Sequence, residues 1–167
     1  MVDNLDKRWK QFHENYVKRD EQVKVILEGL DIESVMDLGS GNQNLQPYFE
    51  SKDIKYSPVD IKQRYPNTLV ANFNNGEFPL IDTDLSMMLG VLEYILDVPE
   101  FIKLVVSHTK KYVIFSYWDI DDRKELDTKK WYWKNYYKVS EIIDMFGWEK
   151  IKELKLNRQS IVLLKRK

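Results

Sequence analysis

The chain has 167 residues and a net charge of −1, long enough to bury the core of one domain and too balanced to draw nucleic acid or membrane by a global field. It has no cysteine, which excludes disulfides, thiolate metal sites and a cysteine nucleophile and fits a reducing compartment. The opening "MVDNLDKRWK" is charged and lacks the apolar centre of a signal peptide, and no apolar run approaches the ~20 residues of a membrane span. A soluble, cytoplasmic protein is expected.

Trp9 to Leu30 carries apolar residues at helical spacing (Phe12, Tyr16, Val23, Ile26, Leu27, Leu30), with Gly29 as a stop signal. Ser34 to Leu38 reads as a strand that runs into the turn "DLGSGNQN". Asn44 is the expected N-cap of the helix that follows, with Pro47 in its first turn. "DIKYSPVDI" is a second strand ending at Asp60. Its Pro58 cannot donate to a ladder, so a bulge or an early end is expected there. "NTLVANF" is a third strand. Gly76 to Thr83 is too short for a full helix, so that face of the sheet should be thinly covered. "DLSMMLGVL", from Asp84, is a fourth strand. Val98 to Thr109 is an amphipathic helix, and "KYVIFSYW" a fifth strand ending at Trp118. A polar and aromatic stretch, 119–137, precedes the helix "VSEIIDMFG", which Gly147 stops. "WEKIKELKL" and "RQSIVLLKRK" form an antiparallel hairpin. The last residues, "LLKRK", read as a solvated basic tail.

Strands that alternate with helices imply an α/β three-layer sandwich. It has a mostly parallel seven-stranded sheet, an antiparallel C-terminal hairpin and helices on both faces. Ligands of such sheets bind beyond the carboxyl ends of the strands, where the strand order reverses. The turn "DLGSGNQN" lies there. A dinucleotide turn wants Gly-x-Gly-x-x-Gly. Here Gly39 and Gly41 are present, but Asn44 takes the third place. Asp37, two residues before Gly39, opposes a pyrophosphate and suits a cation. S-adenosyl-L-methionine (SAM) carries an ammonium and a sulfonium and no phosphate, so the turn favours SAM over NAD.

"VMDLGSGNQNL" resembles the first motif of the class I (Rossmann-like, seven-stranded) SAM-dependent methyltransferase superfamily, an acid followed by Leu-Gly-x-Gly. "VDI" resembles its second motif, whose acid, here Asp60, binds both ribose hydroxyls. "ANFN" resembles the adenine-reading segment, with Asn72 where Asp is usual. "LGVLEYI" resembles the segment along the methionine part of the cofactor, with Tyr94 where His is frequent. Asn44, in place of a small residue, implies a turn set slightly further from the cofactor. The resemblance spans roughly residues 32–165. It implies one methyltransferase domain over 1–167, with 1–30 as a helical cap and 119–137 as a substrate-side insert. It also implies a cofactor site of Asp37, Leu38, Gly39, Ser40, Gly41, Asp60, Ile61, Asn72, Phe73, Leu89 and Gly90.

Other roles compete at these positions. Asp60 also suits a cap of the turn at 61–64, Asn72 a bond to its own loop, and Glu93 a cap of the next helix. Met87 and Met88 read as core. The dense aromatics give substrate-side candidates Tyr16, Trp118, Trp131, Trp133 and Tyr136, either as a wall over the acceptor or as packing. His13 and Tyr94 are weak candidates for a general base. His108 belongs to a helix C-terminus. No cluster has metal-ligand spacing.

Methyl transfer needs alignment and water exclusion more than acid–base chemistry, so no obligatory catalytic residue is expected. There is no Asn/Asp-Pro-Pro-aromatic sequence, which disfavours amino methylation of adenine or cytosine. The expected activity is transfer to an O or N atom of a small-molecule or sugar-like acceptor, with nucleic acid and membrane as unlikely partners. The alternatives are a protein or RNA methyltransferase, or a methyltransferase-like protein that holds SAM or its demethylated product without turnover.

Overall fold

The computed structural model of the chain describes residues 13–118 and 132–167, with side chains from residue 16 onward. Trp9, Phe12 and Trp131, singled out above, lie outside the described residues. The chain divides into two compact units, 1–30 and 31–167.

The first unit holds helix α1, His13–Leu27. Val23, Ile26 and Leu27 are buried, as their spacing implies, but so are Arg19 and Asp20, which form an ion pair at 2.9 Å. Pairing offsets the cost of removing both charges from water. Gly29 follows the helix with a φ of +79°, the left-handed geometry that closes helices.

The second unit is a seven-stranded sheet in the order β3-β2-β1-β4-β5-β7-β6. Its strands are β1 (Ser34–Leu38), β2 (Lys55–Asp60), β3 (Leu69–Val70), β4 (Thr83–Leu89), β5 (Thr109–Trp118), β6 (Glu149–Leu156) and β7 (Gln159–Lys165). β1 to β5 pair in parallel, and β7 runs antiparallel to both β5 and β6. Among the described residues, helices α2 (Gln46–Glu50), α3 (Val98–Ser107) and α4 (Val139–Phe146) accompany the sheet, with short 3-10 turns at Phe73–Asn75 and Leu92–Tyr94. No helix among the described residues is long and apolar enough to cross a membrane.

Alternation along the strands sorts the side chains into two faces. On one, Met36, Val59, Met88, Phe115, Tyr117 and Val162 join a buried cluster with Phe101 and Ile102 of α3 and Ile142 and Phe146 of α4. Asp37, Asp60, Leu89 and Trp118 fall on the other. Both methionines of β4, Met87 and Met88, are fully buried. Between 76 and 83 there is no helix; Phe78 and Ile81 pack against the cluster instead.

Three local expectations are corrected. Pro58 makes neither a bulge nor an early stop: β2 continues to Asp60 and stays in register with β1, Pro58 opposite Asp37. The reason is direction. The Val59 carbonyl accepts from Gly39 N–H on the β1 side, so the Pro58 nitrogen faces the β3 side. β3 pairs only from Val59 onward, so no ladder bond is asked of Pro58. Asn44 does not cap α2, whose N-cap is Leu45 with no side-chain bond, although Pro47 does occupy the first turn.

The basic end is not simply solvated. Arg166 N–H donates to Lys111 O at 2.8 Å, and Arg166 Nη1 donates to Thr109 O at 2.6 Å and reaches Val106 O at 3.5 Å. Its guanidinium lies 5.6 Å over the Trp148 ring. The last turn of α3 leaves carbonyls without helical partners, and a cation beside them is favourable. Arg166→Ala should therefore cost about 1–2 kcal/mol in urea unfolding, whereas Lys167→Ala should stay within ~0.5 kcal/mol of the parent.

Candidate functional site

The strand order reverses between β1 and β4. β1 continues outward to β2, and β4 continues the other way to β5. The turn after β1 and the loop after β4 meet at their carboxyl ends. A Cβ built on Gly39 would sit 2.8 Å from Val91 Cβ, and Gly39 has a φ of +80°. Glycine is thus required at position 39 twice, by backbone geometry and by the neighbouring loop. Gly41 is also left-handed, with a φ of +50°, but among the described residues nothing lies within 4 Å of its would-be Cβ. Gln43 is left-handed as well, at +55°.

The turn is tied to the end of β2 by consecutive amides. Gly39 N–H and Ser40 N–H donate to Val59 O at 2.8 and 2.9 Å. Gly41 N–H donates to Asp60 Oδ2 at 2.9 Å, and Lys62 N–H to Asp60 Oδ1 at 3.1 Å. Asp60 therefore does cap the turn that follows it. Each carboxylate oxygen holds one N–H and can accept a second bond, so capping and diol binding are compatible.

Asp37 lies behind the turn, 5% exposed, and Tyr56 donates its hydroxyl to Asp37 Oδ2. The Tyr56 ring stacks on Phe49 of α2 at 5.7 Å. Leu38 is fully buried and Leu89 nearly so; Phe73 packs its ring 4.9 Å from Phe101. These three have chiefly backbone to offer a ligand. Ile61, in contrast, is 59% exposed immediately after Asp60. Asn72 bonds its own loop: Oδ1 accepts from Asn74 N–H at 3.1 Å. Gly90 is left-handed at +74°. Ser40 is buried, and its hydroxyl has no hydrogen-bond partner among the described residues.

Glu93 does not cap α3; Asp97 does, accepting from Glu100 N–H at 3.0 Å. Glu93 is 1% exposed, and its Oε1 accepts from Trp118 N–H at 3.1 Å. Tyr94 is half-buried in the same loop, its carbonyl accepting from Asn74 Nδ2 at 2.9 Å. His13 and Tyr16 belong to the first unit, where the Arg19 guanidinium lies 5.0 Å over the Tyr16 ring. His108 is the C-cap residue of α3, with Nδ1 2.9 Å from Asp82.

From 132 to 137 burial alternates. Trp133 and Asn135 point inward, while Tyr132, Lys134 and Tyr136 point outward. Trp133 and Tyr136 are therefore on opposite sides of the segment and do not share a wall. Trp133 meets Trp118 instead, with ring centroids 5.9 Å apart and tilted 42°. Asn135 anchors the segment. Its Nδ2 donates to Leu92 O at 2.7 Å and Ile95 O at 2.8 Å, and its Oδ1 accepts from the Tyr117 hydroxyl. The Tyr117 hydroxyl also accepts from Tyr137 N–H at 3.0 Å, and Lys134 N–H donates to Glu93 O at 2.7 Å.

Asn135, Gln43, Tyr56 and Val91 are not singled out by the sequence alone. The period-2 series Trp133, Asn135, Tyr137 was a signal for Asn135. Gln43, whose Nε2 donates to Thr68 Oγ1 at 2.8 Å, carried none, because left-handed glutamine has no local signature. Tyr56 and Val91 become visible only with the strand register. Among the described residues, no three His, Asp or Glu side chains gather as a metal site.

This sheet order, with β7 as its single reversed strand and a glycine turn at the order reversal, is the class I SAM-dependent methyltransferase fold. No protein-family model matches the chain, and no curated protein matches it in sequence. Solved structures do match in fold. The N-methyltransferase NodS from Bradyrhizobium japonicum WM9, in complex with S-adenosyl-L-homocysteine, superposes with a TM-score of 0.69 at 10% identity, covering 91% of this chain and 87% of that one. The magnesium protoporphyrin IX methyltransferase ChlM from Synechocystis PCC 6803, with the same molecule bound, gives 0.70 at 14% identity, covering 95% and 86%. A possible histamine N-methyltransferase from Thermotoga maritima gives 0.68 at 16% identity, covering 98% and 95%.

The two glycines should respond differently to a methyl group. Gly39→Ala should cost about 2–4 kcal/mol, from left-handed strain plus the clash with Val91. Gly41→Ala should cost only about 1 kcal/mol. Adding Val91→Ala to Gly39→Ala should recover part of the loss, read as a coupling in a double-mutant cycle of chemical denaturation.

Proposed function

We propose that the protein is a SAM-dependent methyltransferase that acts on an O or N atom of a small-molecule acceptor. The observation that carries this reading is the open side of the glycine turn. Gly41 has empty space at its Cβ position, next to a buried carboxylate whose two oxygens are already oriented by backbone amides. Such a carboxylate is ready to accept from vicinal hydroxyls without reorganising.

In this reading the turn at Gly39, Ser40 and Gly41 wraps the methionine end of SAM, and Asp60 accepts from the ribose. Exposed Ile61 packs against the adenine, which Asn72 and the backbone at Phe73 reach from the next strand end. The backbone at Leu89 and Gly90 lines the methionine side. Asp37, behind the turn, adds negative charge toward a cationic ligand. When bound, SAM supplies a methyl group to the acceptor lone pair, the carbon–sulfur bonding pair returns to sulfur, and the acceptor proton passes to solvent. The protein orients the partners and excludes water, which supplies much of the rate. The fold-level neighbours whose names specify an acceptor act on small molecules, which supports but does not choose the acceptor class.

Calorimetric titration with S-adenosyl-L-homocysteine (SAH) tests the cofactor assignment. The parent should bind, and Asp60→Ala should weaken binding more than about tenfold, the loss of one charge-assisted hydrogen bond or more. Gly41→Ala should weaken SAH binding by a similar factor while the fold survives, because its added methyl enters the space reserved for the ligand. Retained affinity in Asp60→Ala would count against this reading. Transfer of labelled methyl from SAM into a metabolite extract tests turnover.

A further inference from the structure

Trp118 ends β5 on the same sheet face as Asp37, Asp60 and Leu89. The last β4–β5 pair is Leu89 with Ser116, so Trp118 stands two residues past it. At about 3.3 Å per residue, that lifts its indole roughly 7 Å beyond the carboxyl end of β4. Trp118 is held from three directions. Gln159 pairs with it in β7, Glu93 Oε1 accepts its N–H, and Trp133 backs its ring at 5.9 Å. Trp133 is 9% exposed and Trp118 only half-buried, so of the two indoles Trp118 is the one with a face to offer.

The polar groups around this pair are either bonded within the protein or buried. Asn135 uses Nδ2 on two carbonyls and Oδ1 on Tyr117. The Tyr117 hydroxyl both donates and accepts. Glu93 spends Oε1 on Trp118 and its carbonyl on Lys134, while its Oε2 and the Ser116 hydroxyl are buried away from a ligand. Among the described residues, then, the wall offers flat apolar area and little hydrogen bonding. A polyhydroxylated sugar laid against it would lose water without replacement partners, at a cost for each unmet hydroxyl. A planar ring loses little and gains stacking contact.

Resting on the methyltransferase reading above, we propose that the acceptor is a planar-ring amine or phenol stacked on Trp118, with Asn135 as the positioning residue that fixes this platform. This narrows the acceptor away from sugars. Asn135 acts through Trp133: by stapling its segment to Leu92 and Ile95, it holds the ring that backs Trp118.

The test is calorimetry on SAH-saturated protein, with tryptamine and tyramine as planar-ring probes and glucosamine as a saturated-ring probe. The planar amines should bind about tenfold or more tighter than glucosamine. Trp118→Phe keeps a flat ring and should retain most of that affinity. Trp118→Leu keeps apolar bulk without a ring and should lose about tenfold. Asn135→Ala should lose a similar factor and weaken the tryptophan circular-dichroism signal of the Trp118–Trp133 pair, while SAH affinity stays within about twofold of the parent. Glucosamine binding as tightly as the planar amines, or Trp118→Leu retaining full affinity for them, overturns this inference and leaves the cofactor assignment standing. A parent that does not bind SAH overturns the cofactor assignment and this inference with it. Should Asn135→Ala fail to fold, the two Trp118 variants still decide the matter.

Discussion

Three consecutive amides of the glycine turn, at Gly39, Ser40 and Gly41, are hydrogen-bonded to the last two residues of β2. The rest of the site depends on this constraint. A tight turn at a strand end leaves backbone donors without ladder partners, and buried donors must be satisfied. Here Val59 O takes two of them and Asp60 takes the third. The same bonds that complete the turn therefore orient the Asp60 carboxylate. They also hold Gly39 against Val91, so the turn after β1 and the loop after β4 pack as one edge. A left-handed backbone at Gly39, Gly41 and Gln43 is what lets the chain present so many amides in so few residues.

A second edge is built on the same logic with side chains instead of backbone. The loop at 92–95 presents carbonyls outside the strand ladders, among them Leu92 O, which takes the Ile95 N–H of its own turn. Asn135, 43 residues after Leu92, supplies the donors for two of them. Its remaining acceptor oxygen is taken by Tyr117, from the buried face of β5. A fully satisfied polar network of this kind costs little to bury and defines one geometry. It also explains why an aromatic-rich segment needs an asparagine in its middle: rings supply area, and only an amide supplies two donors and an acceptor at one point. Glu93 plays the complementary part for β5, taking the Trp118 amide just where the parallel ladder with β4 runs out.

Much of this architecture is legible in the residues themselves. Helices and strands follow from 3.6- and 2-residue apolar spacing. The stops at Gly29 and Gly147 follow from glycine's tolerance of left-handed backbone. Asp60 is recognisable from its place at the end of β2. What local pattern misjudges is instructive. Pro58 reads as a strand defect because a missing donor is a property of the residue, whereas whether a donor is needed is a property of the neighbouring strand. Asn44 reads as a cap because its side chain suits one, yet the left-handed Gln43 shifts the helix start past it. Arg166 reads as tail charge, although a helix end and the Trp148 ring await it across the sheet.

The sequence by itself determined the order of elements, the glycine turn and the strand-end positions of Asp37, Asp60 and Trp118, since each rests on backbone preference or apolar period within a few residues. The tertiary structure alone decided how the polar atoms are spent. Asp60 binds the turn, Tyr56 claims Asp37, and Asn135 and Glu93 fix the indole pair. Those contacts join residues 18 to 43 positions apart. They exist only once strand register has set which side chains face one another, and a one-residue slip would turn each to the opposite face.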